Sequence, residues 1–111
     1  MGLSQLFRRW SGRGQHRRIR IGDYYLDLDL RWKHEGAYLK WAYKQRLSGP
    51  IAFDTLAIEH FLKPGDIVLD AGANIGFTAL YFLKCGAAHV HAFEPDPRNF
   101  QRLEHLQTDG K

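Results

Sequence analysis

A chain of 111 residues, 44% hydrophobic and 14% aromatic, can bury one small core, which excludes wholesale disorder. Its single cysteine, Cys85, excludes an internal disulfide, and no apolar run approaches the roughly 18 residues needed to cross a bilayer. The net charge of +4 comes from one end: residues 1–20 hold Arg8, Arg9, Arg13, Arg17, Arg18 and Arg20 with no acid, leaving 10 basic against 12 acidic residues elsewhere. High overall charge is therefore a property of a tail, and the body carries no signature of nucleic-acid binding. The arginines are not followed by an apolar h-region, so with one free thiol the expected location is the cytoplasm.

In chain order, residues 1–18 read as a basic tail. Leu3, Leu6, Phe7 and Trp10 fall on one helical face, which allows a weak contact of residues 1–20 with a membrane surface. "SGRGQ" (11–15) is a linker. "IRIGDYYLDLDL" (19–30) alternates on both sides of Gly22-Asp23 and predicts a tight hairpin, with Tyr25, Leu26, Leu28 and Leu30 on the apolar side and Asp27 and Asp29 solvated. Residues 33–47 read as a helix with Tyr38, Trp41 and Tyr43 on its aromatic face, ending at Ser48-Gly49-Pro50. Residues 19–50 thus form a hairpin-plus-helix extension.

Residues 51–111 have a different texture. "IAFDTLAIEHFL" is an amphipathic helix with Leu56, Ile58, Phe61 and Leu62 inward, stopped by Lys63-Pro64-Gly65-Asp66. "IVLDA" (67–71) is an unbroken apolar run, as a parallel strand buried on both faces requires. A helix over 75–84 and a strand over 89–94 follow. Asp96 then caps a helix that has Pro97 at its first position, Phe100, Leu103 and Leu106 inward, and Thr108-Asp109-Gly110 at its end. The order strand, helix, strand, helix predicts an α/β fold: the first βαβα portion of an incomplete, Rossmann-like doubly wound sheet.

In such sheets ligands bind beyond the carboxyl ends of the strands. Asp70-Ala71-Gly72-Ala73-Asn74-Ile75-Gly76 lies there, with small residues that let a ligand approach the backbone and loop amides that favour an electron-rich group. A dinucleotide fingerprint starting at Gly72 would need glycines at 74 and 77, where Asn74 and Phe77 stand, and no Gly-Lys-Ser/Thr follows for a P-loop. Glu94 ends the next strand, and a carboxylate that accepts two bonds suits a vicinal diol.

"DAGANIG" resembles motif I of class I S-adenosylmethionine-dependent methyltransferases, with Asn at the middle of the three usual glycines. Together with "LKPGDIVL" before it and "AFEPDPRNFQRL" after it, the stretch resembles the FkbM family of methyltransferases over residues 51–110. The resemblance implies S-adenosylmethionine as cofactor. Backbone around Gly72, Ala73 and Gly76 would line its amino-acid moiety, Asp70 would engage its ammonium, and Asn74 would order the loop. Glu94 would accept from both ribose hydroxyls, and Pro95 would stiffen the turn. It also implies O-methylation of a sugar or small-metabolite hydroxyl, with a small-molecule or saccharide acceptor and no nucleic acid.

A complete domain of this class resembles a seven-stranded sheet, and this chain stops where the third strand would begin. The expectation is an N-terminal part of a longer protein, inactive alone, without the acceptor-facing segment and its catalytic residues. His89 and His91 share a strand face but lack a third metal ligand, and His34, His60 and His105 read as surface positions. The competing reading is a non-catalytic module that uses the basic amphipathic N-terminus on lipid or nucleic acid.

Overall fold

The structure, a computed structural model, describes residues 15–44 and 49–106. Most of the basic tail, the 11–14 part of the linker, the end of the 33–47 helix and the 107–111 terminus lie outside the described residues. Among those described, no helix is long and apolar enough to cross a membrane.

The hairpin forms as its turn dictates: β1 (His16–Ile21) pairs antiparallel with β2 (Tyr24–Asp29) around Gly22, whose φ of 62° suits glycine. Ile19, Ile21, Leu26 and Leu28 point into the core, while Arg18 faces Asp27 on the solvent side at 2.7 Å. Tyr25 corrects the expectation, because strand parity places it with Asp27 outside, 56% exposed.

Asp29 is a second correction: it is buried rather than solvated. Arg31 folds back on it, Nη2 lying 2.6 Å from Oδ2 and Nε 2.9 Å from Oδ1, and the Arg31 amide adds a bond of 3.1 Å. These donors pull the Asp29 carboxyl down to about 2. A depressed carboxyl stabilises the fold above its unfolded value near 4 and loses that contribution as pH falls towards 2. Urea unfolding between pH 2 and 5 is therefore expected to show a rise of about 1–2 kcal/mol that Asp29→Asn removes, discounted because Arg31 is mostly exposed.

A 3₁₀ turn (Lys33–Glu35) leads into α1 (Gly36–Ala42), where Tyr38 stacks on Phe77 at 4.5 Å and Trp41 meets Phe77 and Tyr81 edge-on. Tyr43 lies beyond α1 and is exposed, contrary to the expected aromatic face. In α2 (Gly49–Phe61) the buried stripe is Ile51, Thr55 and Ile58, with Leu62 packed after it. Leu56 and Phe61 point outward, so only part of the expected inward set is buried. The helix carries apolar residues on two stripes, and the one facing the hairpin core wins.

The parallel pair β3 (Ile67–Ala71) and β4 (His89–Phe93) is joined through α3 (Phe77–Lys84). α3 is apolar all round because both of its sides are covered. Phe77, Leu80 and Tyr81 meet the hairpin and α2, and Ala79 and Leu83 meet Val68, Val90 and Ala92 of the sheet. β3 departs from the expected two-sided burial: Ile67 and Leu69 are each 71% exposed, since the described helices lie on one face only.

α4 (Pro97–Glu104) begins as expected, with the Asp96 carboxylate accepting from the Arg98 amide at 2.9 Å. Leu103 and Leu106 are half-buried, but Phe100 sits at the surface. The result is a mixed α/β chain with two small sheets, compatible with the first portion of a Rossmann-like fold.

Candidate functional site

Parallel pairing puts both strand ends at one edge: Ala71 stands opposite Phe93, so the 72–76 loop and Glu94 emerge together. Two amides of the loop, those of Gly72 and Ala73, converge on the Phe93 carbonyl at 2.8 and 2.9 Å. The Asn74 amide donates to Glu94 Oε1 at 2.8 Å, and the Gly76 amide to the Ala73 carbonyl at 3.0 Å. The loop is thus stitched to the end of β4. The amides of Gly72, Ala73, Asn74 and Gly76 are thus used internally, which corrects the expectation that they favour an electron-rich ligand group.

Glu94 is held from both sides, since Oε2 accepts from the Asp96 amide at 2.8 Å while Oε1 takes Asn74. Each carboxylate oxygen offers two lone pairs, so each keeps one for a ligand donor. Pro95 lies exposed between the two anchored residues. Asn74 adopts φ 56°, the left-handed region that asparagine tolerates better than most residues, so it can replace a glycine here. Its Oδ1 is buried without a hydrogen-bond partner among the described residues, an acceptor open to a ligand donor.

The glycines divide by environment. A Cβ on Gly72 (φ 77°) would meet nothing within 4 Å, so the space above it is open. One on Gly76 (φ 110°) would stand 2.2 Å from Leu106 Cδ1 and 3.1 Å from Leu103 Cδ1, so Gly76 makes room for the leucines at and just past the end of α4. Ala73 is buried at 1% exposure.

Asp70 points inward at 9% exposure, and its Oδ2 accepts from Thr78 Oγ1 at 2.6 Å. Burial pushes its carboxyl up, the Thr78 bond opposes this, and the negative charge of Asp54 adds to the rise. Sequence reasoning missed Thr78 and Asp54. Thr78 was visible as a hydroxyl in the first turn of α3, able to reach back to the strand's acid, whereas Asp54 comes from a separate helix. Asp54, Asn74 and Thr78 line a cavity of about 390 Å³ walled by Tyr38, Ile51 and Phe77.

A larger cavity of about 470 Å³ lies between the hairpin and α4, where Arg18 and Arg102 are already paired with Asp27 and Glu35. The His89 and His91 rings lie 4.3 Å apart on β4, tilted at 60°, and no group of three metal-ligating residues occurs among the described residues. Cys85 is half-buried, and burial pushes its thiol up, away from reactivity.

No known protein-family profile matches the chain. It is 51% identical over 43 residues to the 31-O-demethyl-FK506 methyltransferase FkbM of Streptomyces tacrolimicus, a match covering 38% of this chain and 16% of that protein. It is 44% identical over 41 residues to a ribosomal protein L11 methyltransferase of Bacillus cytotoxicus, covering 37% of this chain and 13% of that protein. The match thus spans less than a fifth of either relative, and what the two share in name is methyl transfer. No solved structure matches.

Proposed function

We propose that the chain carries the first part of the cofactor site of an S-adenosylmethionine-dependent methyltransferase of the FkbM kind. The observation that carries this is Glu94: a carboxylate fixed by two backbone amides, with one lone pair left on each oxygen for a vicinal diol. The open space above Gly72 and the unpartnered Asn74 Oδ1 fit a cofactor that lies across the loop. When bound, S-adenosylmethionine supplies the electrophilic methyl group. The residues of this chain bind and orient: Glu94 grips the ribose, and the 72–76 loop, stitched to β4, gives it a rigid floor.

Oxygen as the acceptor atom draws support from the streptomycete relative, named for an O-demethyl compound, and a sugar or small-metabolite hydroxyl is the acceptor class. The described residues serve the methyl donor, and the cytoplasm is the proposed place of action. The alternative of a lipid- or nucleic-acid-binding module rests on residues 1–20, most of which lie outside the described residues.

Calorimetry on the full-length protein tests the reading. S-adenosylhomocysteine is expected to bind, while NAD and ATP do not, since the loop amides they would use are already engaged. Binding of either nucleotide in preference to S-adenosylhomocysteine would contradict it.

A further inference from the structure

The amino-acid end of such a cofactor carries an ammonium, and the acid expected to meet it is Asp70. The structure makes Asp70 a poor host: it is 9% exposed and already accepts the Thr78 hydroxyl at 2.6 Å. A second carboxylate stands nearby on α2. Asp54 is half-buried in the wall of the 390 Å³ cavity, which it shares with Asn74 and Thr78. Among the described residues, none of the ion pairs involves Asp54, so within them its charge has no counter-ion. The remaining walls are Ala37, Tyr38, Pro50, Ile51 and Phe77 with the imidazole of His34, and an aromatic face also favours a cation.

Asn74 links this cavity to the diol-binding carboxylate. Its amide bonds Glu94 at 2.8 Å, while the residue itself lines the cavity beside Asp54. A ligand anchored at Glu94 and crossing the loop at Asn74 therefore reaches the cavity with its far end. We infer that Asp54, on α2, is the residue that receives the ammonium of the donor's amino-acid end, in the cavity that α1, α2 and the start of α3 line. This rests on the methyl-donor reading above.

Asp54 is a binding and positioning residue in this account. Asp70 keeps a structural task, tying the end of β3 to the first turn of α3 through Thr78. The extension that precedes the Rossmann-like portion contributes to the wall of this cavity through Ala37 and Tyr38 of α1.

The test is calorimetry on the full-length protein and its Asp54→Asn variant with two probes. S-adenosylhomocysteine carries the ammonium, and 5′-methylthioadenosine has the same nucleoside without the amino-acid end. Asp54→Asn is expected to weaken S-adenosylhomocysteine roughly tenfold, the worth of one charge-assisted bond, and to leave methylthioadenosine within about twofold. The isosteric amide should leave the thermal midpoint unchanged. Equal loss of both probes, or no loss of either, overturns the assignment. Glu94→Ala separates this from failure of the underlying reading: it should weaken both probes, and if it weakens neither, the methyl-donor site itself is refuted.

Discussion

Arg102→Met is expected to lower the unfolding free energy by about 3–5 kcal/mol, the cost of leaving a buried charge without its partner. Glu35 is 1% exposed at the end of the 3₁₀ turn. Its two oxygens take Arg102 Nη1 and Nη2 at 2.7 Å each, and Oε1 also accepts the Asp29 amide at 2.8 Å. Arg102 Nη2 additionally donates to the Asp27 carbonyl at 2.9 Å. One fork thus clamps α4 to the hairpin across 67 residues of sequence. Because α4 starts three residues after Glu94, the same clamp steadies the turn that bears this carboxylate. The double variant Glu35→Gln/Arg102→Met is expected to be less destabilised than Arg102→Met alone, since it removes the charge as well as its partner. Urea unfolding measures both. A loss below about 1 kcal/mol in the single variant would place the pair among weak surface bridges instead.

Gly76→Ala should cost about 2–3 kcal/mol, mostly from backbone strain. A φ of 110° is one that L side chains rarely adopt, and the added Cβ would collide with Leu106 Cδ1 at 2.2 Å and crowd Leu103 Cδ1 at 3.1 Å. The clash is with the mobile ends of leucines, so a Leu106→Ala background should relieve that part and leave the strain. Gly72→Ala is the informative contrast. With φ 77° and open space, it carries strain alone, about 1 kcal/mol, and its methyl projects where a ligand would lie. Thermal unfolding of the three variants separates these contributions.

The elements legible in the sequence were those that short-range chemistry decides. Gly22-Asp23 between alternating runs announced the hairpin, and Asp96-Pro97 announced α4, capped as expected. The β3–α3–β4 order placed the 70–76 loop and Glu94 at one edge. What stayed hidden depends on partners distant in sequence. The orientation of Leu56 and Phe61 turns on which of two apolar stripes of α2 meets the hairpin. Asp29 looked like one more solvated strand acid until Arg31 folded over it. The Glu35–Arg102 clamp joins two residues with no local signal. The amides of the DAGANIG loop looked available to a ligand, but the Phe93 carbonyl and Glu94 had already claimed those of Gly72, Ala73 and Asn74.

That last difference bears on the proposed function, because it moves the proposed recognition from loop amides to side chains. The most direct measurement is the calorimetric affinity of S-adenosylhomocysteine and of its 2′,3′-dideoxyribose analogue, for the full-length protein and for Glu94→Ala. If Glu94 accepts from both hydroxyls, the parent protein should discriminate between the two ligands by roughly 10- to 100-fold, as expected for hydrogen bonds to a charged group. Glu94→Ala should bind both equally weakly. Equal affinity of the parent protein for the two ligands, or discrimination that survives in Glu94→Ala, would contradict the assignment of this edge as a methyl-donor site.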